Sequence, residues 1–440
     1  STQVGVSLNT ALASFTNVTM TGGPASGAAA ATTSIGLRCM DCGATVINGG
    51  TINGVAAATT VAGLWASGNV TGLSVTNTTI NGGTVTQATG NGYGVRLETC
   101  TGSPTFTTAN ILGGTNNNGA RFGFASQGMA CTPSISGGRV RGCESGANCT
   151  GITCAANSAC GATGVMIQGA SGTAGTTGYG VRCSGNGCGK FSGNTITVGQ
   201  LGGNGTTGMG IDIVGANPAF DDNDIAGPTC PNGVGGNAVL NAAHFSNTTS
   251  LVTNNIMRDM VCNAIVDVVR FDKAQATVSV LGPTIHSNTI QFTTCNGCPV
   301  KRGMLITAPT GGATPAAGIV RNNIFRNAGM ANYANGFAVR ENDAASDLQF
   351  FENNDLWAPN GGTLYVDEGN LPLLLIAINA LTGAAGNINA DPQYDATFHI
   401  PLTSPCRNAG TMTGAPAFDF DGQMRPQEMM FDIGADEFVP

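Results

Sequence analysis

Apolar and polar residues alternate in short runs along most of the chain, and glycine or asparagine separates the runs. Residues 45–54 and 73–83 are clear examples. Alternation with a period of two, bounded by Gly and Asn, is the signature of β-strands. Gly and Asn also supply the positive φ angles that tight corners need. The pattern therefore predicts a chain built from many short strands.

Two short phrases recur through these runs. The first is a polar pair leading into Asn-x-Ile or a near relative, and its polar position falls at residues 194, 223, 254, 288, 322 and 354. The second is a small residue followed by alternating apolar residues, and it begins at residues 36, 63, 94, 151, 180, 210, 263, 303 and 336. Self-similarity at periods of 20–50 residues indicates a solenoid, a propeller or an array.

A coil that returns to the same corner explains why each phrase restarts, whereas an antiparallel sandwich does not. We predict an all-β fold, a right-handed parallel β-helix of about 13 coils between residues 36 and 360 with a C-terminal cap. Inward aliphatic residues would stack on their copies one coil away, and repeated Asn side chains would form amide ladders. The predicted divisions are an N-terminal strand-like segment or first coil at 1–35, the β-helix at 36–370 and a capping module at 371–440.

The amino-acid composition argues against several classes of protein and of binding partner. Of the 440 residues 10% are charged and 41% are hydrophobic, and the net charge is −8. This hydrophobicity excludes a disordered chain, and the scarcity of Lys and Arg argues against a nucleic-acid partner. The longest apolar run, 371–378, is far shorter than the ~20 residues of a membrane helix. The chain begins at Ser1 without Met, as expected of a processed secreted product.

The 15 cysteines favour an oxidising, extracellular setting. Their spacing suggests seven disulfides and leaves Cys406 over, although connectivity is not fixed by sequence. We expect Cys406 to be a buried free thiol, with an intermolecular link as the alternative. A zinc site made from the two C-x-x-C units is the alternative, and their wide separation in a solenoid argues against it. The candidate pairs are Cys39 with Cys42, Cys100 with Cys131, Cys143 with Cys149, Cys154 with Cys160, Cys183 with Cys188, Cys230 with Cys262 and Cys295 with Cys298.

The last 55 residues carry a specific set of motifs. They include Asp391-Pro392, Ser404-Pro405-Cys406, Asp421-Gly422 and the run Asp432-Ile433-Gly434-Ala435-Asp436-Glu437. This tail closely resembles the C-terminal module of secreted bacterial right-handed parallel β-helix proteins known as choice-of-anchor Q proteins. The resemblance implies a secreted or cell-surface β-helix and brings no common catalytic site with it. Within the tail we expect Asp421-Gly422 to form a turn and Arg425 to pair with Asp432 or Glu437.

One charged segment is a candidate catalytic site. A lyase needs Ca²⁺ held by carboxylates near a basic Arg or Lys. A polygalacturonase-like hydrolase is marked by paired Asp residues and a Gly-His-Gly turn, and this chain lacks the Gly-His-Gly turn. The alternative interpretation is an outward, salt-bridged face without catalysis, which we favour. The candidate residues are Asp259, Asp267, Arg270, Asp272 and Lys273. No cofactor or metal is predicted.

Taken together, these features predict an extracellular structural or adhesive cell-surface protein, with end-to-end assembly into a filament as one form. The expected partners are further copies of itself or a carbohydrate ligand, without nucleic acid and without a membrane span. The alternative function is a polysaccharide lyase or glycoside hydrolase acting on one face of the helix. Glycosylation is an additional hypothesis for the Asn-x-Ser/Thr sequons, which lie at Asn17, Asn69, Asn77, Asn148, Asn204 and Asn247.

Overall fold

The computed structural model describes most of residues 2–440. The segments outside the description are residue 11 and residues 24–31, 116–118, 128–129, 145, 156, 171–172, 202–206, 230–238, 260–264, 273–280, 294–299, 308–316, 329–335, 343–345, 360–361 and 369–370. The chain divides into two compact units. The first consists of residues 1–212 and 228–234, and the second of residues 213–227 and 235–440.

The first unit is made of short and medium strands. In chain order they are β1 (Thr2–Asn9), β2 (Ser14–Thr21), β3 (Thr33–Met40), β4 (Val46–Asn53), β5 (Thr60–Asn69), β6 (Ser74–Thr76), β7 (Thr79–Asn81), β8 (Asn91–Thr101), β9 (Thr105–Thr107), β10 (Asn110–Leu112), β11 (Ala120–Ser126), β12 (Ser134–Ser136), β13 (Arg139–Cys143), β14 (Gly146–Cys154), β15 (Gly161–Thr163), β16 (Met166–Ala170), β17 (Thr173–Ser184), β18 (Lys190–Ser192), β19 (Thr195–Thr197) and β20 (Gln200–Leu201), followed at the boundary by β21 (Thr207–Val214).

The second unit repeats the same alternation. Its elements are β22 (Ala219–Asp221), β23 (Asp224–Ala226), β24 (Val239–Ser246), β25 (Leu251–Thr253), β26 (Ile256–Arg258), β27 (Val266–Asp272), β28 (Leu281–His286), β29 (Thr289–Phe292), β30 (Lys301–Thr307), β31 (Ala317–Arg321), β32 (Ile324–Asn327), β33 (Gly336–Glu341), β34 (Phe350–Glu352), β35 (Asp355–Trp357), β36 (Thr363–Asp367), β37 (Leu371–Leu373), the short helix α1 (Leu375–Ile378) and β38 (Ala384–Ala385).

The fold is a parallel β-solenoid, so the predicted fold class is confirmed. Each turn adds one longer strand to a first sheet and two short strands to a second sheet. The first sheet has the order β1-β3-β5-β8-β11-β14-β17 in the first unit and β24-β27-β30-β33-β36 in the second. Between residues 36 and 360, where about 13 coils are predicted, the solenoid has about 10 turns. The segments between strands vary in length, and several of them lie outside the described residues. The number of turns is therefore harder to predict from the sequence than the fold class.

Inward apolar side chains stack from turn to turn, as the alternation predicts. In the first sheet of the first unit, Leu37, Leu64, Val95 and Phe124 lie in register on successive strands and are fully buried. Each turn therefore covers the aliphatic row of its neighbour, and stability comes from contacts between adjacent repeats.

The small residue of the second phrase is required by close backbone packing. A Cβ placed on Gly94 would lie 2.6 Å from the carbonyl oxygen of Gly123 and 2.5 Å from Cγ2 of Ile111. A Cβ atom essentially never lies within 3.0 Å of a non-bonded heavy atom, so only glycine fits without displacing the next turn.

A left-handed residue separates the two short strands of each turn in the second unit. This corner is occupied by Asp222, Asn254, Ser287, Asn322 and Asn353, with φ between 51° and 56°. The residue that follows each corner is a buried asparagine, and these form one continuous ladder. Its members are Asn223, Asn255, Asn288, Asn323, Asn354 and Asn387, joined from Nδ2 to the next Oδ1 at 2.8 to 3.0 Å.

The ladder corrects the register of the first phrase. The phrase places residues 254 and 322 at the repeated position, but their side chains leave the ladder. Asn254 donates to the carbonyl oxygen of Phe418 at 2.7 Å, and Asn322 donates to that of Thr411 at 2.8 Å. The Asn-Asn doublets thus have two functions, since the first amide holds the C-terminal segment and the second holds the next turn.

The C-terminal segment covers the last turn and then returns along the corners. Strand β37 pairs with β36 antiparallel, which ends the parallel stacking of the first sheet. The segment has a small core of its own, formed by Tyr394, Ile400, Cys406 and Ile433 against Ile324. Cys406 is a buried free thiol, and its Sγ lies 3.3 Å from Oδ2 of Asp355.

The expected pairing of Arg425 is present. Its Nη1 lies 3.1 Å from Oε2 of Glu437, and both side chains are buried. Asp432 contributes its carbonyl oxygen, at 3.4 Å from the same nitrogen. No helix within the described part of the chain is long and apolar enough to cross a membrane.

Candidate functional site

Three of the five candidate catalytic residues lie together on β27. Asp272 is the centre of the group, because Nε of Arg270 lies 2.9 Å from its Oδ2 and Nε2 of His244 lies 3.2 Å from the same oxygen. Thr307 on β30 donates to the other carboxylate oxygen at 2.5 Å. The parallel register places these side chains side by side on three successive strands, β24, β27 and β30.

Asp267 forms the second half of this charged face. It accepts a hydrogen bond and an ion pair from Arg302, which occupies the same register position one turn later. The Asp267 side chain is only 5% exposed, whereas that of Asp272 is 25% exposed. The two carboxylates therefore share one face but differ in their access to solvent.

The pKa values of the two carboxyl groups shift in opposite directions. Burial raises the pKa of Asp267, and the charge of Arg302 opposes that rise. Burial alone would raise the pKa of Asp272 as well, but hydrogen bonds from His244 and Thr307 and the charge of Arg270 lower it to about 2. A carboxyl with a raised pKa beside one with a lowered pKa is an arrangement that general acid–base chemistry uses.

Of the other two candidates, Asp259 is not part of this face. Asp259 is buried and pairs with Lys301, with 3.5 Å between Oδ2 and Nζ. Lys273 lies outside the described residues. Sequence analysis does not identify Arg302 and His244, yet both can be found from the register, since Arg302 is aligned with Asp267 and His244 with Arg270.

Five cysteine pairs have disulfide geometry, all in the first unit. Their Cα–Cα distances run from 5.4 to 6.3 Å, within the range that a disulfide needs. The bridged pairs are Cys39–Cys42, Cys100–Cys131, Cys143–Cys149, Cys154–Cys160 and Cys183–Cys188.

The other two predicted disulfides are not among these five bridges. They join Cys230 with Cys262 and Cys295 with Cys298, on the basis of spacing alone. Residues Cys230, Cys262, Cys295 and Cys298 all lie outside the described part of the chain. Both pairings therefore stay predictions.

The described sequons lie at the surface of the solenoid. Asn17, Asn69, Asn77 and Asn148 are exposed and Asn247 is half-buried, while Asn204 lies outside the described residues. Glycosylation at these positions stays a prediction.

Within the described residues three groups of side chains have the spacing of metal ligands, and one of them, Cys154, Cys160 and Cys188, consists of disulfide-bonded cysteines. Ligand atoms of His399, Asp421 and Asp436 lie within 4.8 Å of one another, and the same holds for Glu341, Asp347 and Asp367. In the first group Nε2 of His399 is already hydrogen-bonded to Oδ2 of Asp421 at 2.6 Å. Hydrogen bonds within the protein therefore account for this group without an ion.

Comparison with known proteins adds no assignment. Models of known protein families give no match to this chain, and a search of curated proteins also finds no match. The functional argument accordingly depends on the geometry described above.

Proposed function

We propose that the protein is an extracellular structural or adhesive β-solenoid that associates with further copies of itself through the edge of its first turn. The observation that carries this proposal is the incomplete burial of the first inward row. Val6 and Leu8 on β1 are only half-buried, whereas their register partners Leu37 and Cys39 one turn later are fully buried. The first turn thus exposes part of an apolar row that a second copy of the chain could bury.

The backbone of this turn is also available for pairing. Strand β1 pairs with β3, and β2 pairs with β4. Within the described residues, no other strand pairs with β1 or β2. An unpaired parallel edge of eight residues is a template for a strand from another chain. Leu12, between the two strands, is 82% exposed and adds apolar surface at the same end.

The extracellular setting is supported by covalent and sequence features. The disulfides of the first unit are expected in an oxidising compartment and are rare in the cytosol. The tail resembles the C-terminal module of secreted β-helix proteins, and four described sequons are exposed. A rigid solenoid with stapled turns suits a structural role, because it offers a long, regular surface.

The mode of pairing decides the form of the assembly. If β1 of one copy pairs with β1 of another, the contact is isologous and closes into a dimer. If it pairs with the C-terminal end of another copy, the contact is heterologous and extends into a filament. Both forms follow from the same exposed edge. Electron microscopy of the concentrated protein distinguishes them, because a closed dimer and a filament differ in length.

Replacing Val6 by aspartate is expected to weaken self-association about tenfold or more, equivalent to ~1.4 kcal/mol. The substitution places a charge in the apolar row that the second copy covers. Sedimentation velocity over a wide concentration range measures the effect. The matched control is Leu251→Asp, which changes an apolar residue that is 47% exposed on a strand paired on both sides. A wild-type protein that stays monomeric at all concentrations would overturn the proposal.

A second function is favoured by one observation, the opposite pKa shifts of Asp267 and Asp272 on the charged face. Under this function the face cleaves a polysaccharide, and Asp267→Asn or Asp272→Asn lowers the rate by about 100-fold or more. The assay follows depolymerisation of neutral and acidic glycans with and without Ca²⁺. Glu352→Gln, which disturbs an ion pair with Arg321 elsewhere, is the control. A wild-type protein that leaves every glycan intact excludes this function.

A further inference from the structure

A pocket lies where the second sheet of the second unit meets the C-terminal segment. Arg258, Gln291 and Arg326 form one edge of it, because they occupy the same register position on β26, β29 and β32. Tyr394 and Phe398 of the C-terminal segment form the opposite wall. The cavity has a volume of about 410 Å³, within the range of small-molecule sites.

The two guanidinium groups at this edge are not equivalent. Arg258 makes a bidentate ion pair with Asp224, at 3.0 Å from Nε and 2.7 Å from Nη2. Arg326 makes no salt bridge with any described carboxylate, and its Nε is buried without a hydrogen-bond partner. Its guanidinium instead stacks 4.4 Å from the centre of the Tyr394 ring. The pocket therefore contains one guanidinium group that no described carboxylate neutralises, and its charge is left for a ligand.

The rest of the lining combines polar and apolar groups, and several of them are held in place by contacts within the protein. The Tyr394 hydroxyl donates to Oε1 of Gln291 at 3.0 Å, which orients the amide. The rings of Tyr394 and Phe398 lie 5.3 Å apart and support each other. Asp395 lies at the mouth, where Oδ1 accepts hydrogen bonds from Thr397 and from the backbone nitrogen of His399. Carboxylate and amide groups in such positions supply the acceptors and donors that hydroxyl groups need.

We propose that this pocket binds a sugar that carries one carboxylate, a uronic acid residue of a glycan. The guanidinium of Arg326 would hold the carboxylate, since its planar fork matches that geometry. Gln291 and Asp395 would bind ring hydroxyls. A phosphate group fits less well, because the carboxylate of Asp395 repels a second negative charge and Arg258 is already neutralised by Asp224.

This proposed sugar site goes beyond the structural or adhesive function and does not depend on self-association. The pocket belongs entirely to the second unit, whereas the exposed edge belongs to the first. A failure of one proposal can therefore be recognised without affecting the other.

The test measures binding of methyl glucuronide to the full chain by calorimetry or ligand-detected NMR. We expect binding that Arg326→Gln weakens about 10- to 100-fold, the loss expected for charge-assisted hydrogen bonds. Arg326→Lys keeps the charge but loses the planar fork, so its affinity for methyl glucuronide should lie between that of the wild type and that of Arg326→Gln. Arg340→Gln is the matched control, because Arg340 stacks on Phe337 outside the pocket. Circular dichroism verifies that each variant is folded.

Three further ligands identify the chemistry. Methyl glucoside lacks the carboxylate and acetate lacks the ring, and both should bind at least about tenfold more weakly than the glucuronide. Equal binding of acetate would overturn the sugar assignment, and tighter binding of inorganic phosphate would overturn the carboxylate. The proposal also fails if the glucuronide does not bind, or if Arg340→Gln has the same effect as Arg326→Gln.

Discussion

Replacing Asn288 by alanine is expected to lower the free energy of unfolding by about 5 kcal/mol, since several buried polar groups lose their partners at ~1–3 kcal/mol each. The Nδ2 group donates to Oδ1 of Asn323 and to the carbonyl oxygens of Val252 and His286, at 2.9 to 3.0 Å. The Oδ1 atom accepts from the side chain and the backbone of Asn255 at 3.0 and 2.8 Å. Alanine can replace none of these bonds.

Chemical denaturation followed by circular dichroism measures this loss. Asn342→Ala is the matched control, because Asn342 is exposed and its side chain accepts a hydrogen bond from Arg340 at the surface. We expect this control to change stability by no more than about 0.5 kcal/mol. A loss below ~1 kcal/mol for Asn288→Ala would show that the ladder is not a main source of stability.

The repeating part of the fold can be predicted because it follows from local residue types. Leu37, Leu64 and Val95 indicate the inward row by alternation alone, and each is buried in register. The ladder is predicted in kind but misplaced at two turns. Asn254 and Asn255 are chemically identical, so only the three-dimensional corner shows which of them turns inward.

The candidate sites can be predicted only in part, because they join distant segments. Asp267, Arg270 and Asp272 are near in sequence and do lie together. Arg302 is 35 residues from Asp267 and becomes visible only through the register. The pocket depends on Tyr394 reaching Gln291 across 103 residues. No local pattern encodes how the C-terminal segment returns along the corners of the solenoid.

Replacing Lys301 by methionine is expected to destabilise the protein by ~3–5 kcal/mol at neutral pH, since it leaves a buried carboxylate unpaired. The side chains of Lys301 and Asp259 are each 1% exposed, and Nζ lies 3.5 Å from Oδ2. Burial raises the pKa of Asp259, and the charge of Lys301 opposes that rise. Methionine removes the opposing charge, so the folded variant holds a proton on Asp259 to a higher pH.

The sign of the resulting pH dependence follows from linkage. A carboxyl whose pKa is higher in the folded than in the unfolded state loses stability as pH rises above the unfolded value. The cost of Lys301→Met should therefore be smaller at about pH 4 than at about pH 8, as measured by thermal unfolding at both values. Lys190→Met, at an exposed site, should cost no more than about 0.5 kcal/mol. The double variant Lys301→Met with Asp259→Val should recover most of the stability, because an apolar pair can replace a buried ion pair. If the double variant is as unstable as the single one, the cost arises from packing around Lys301 and not from the unpaired charge.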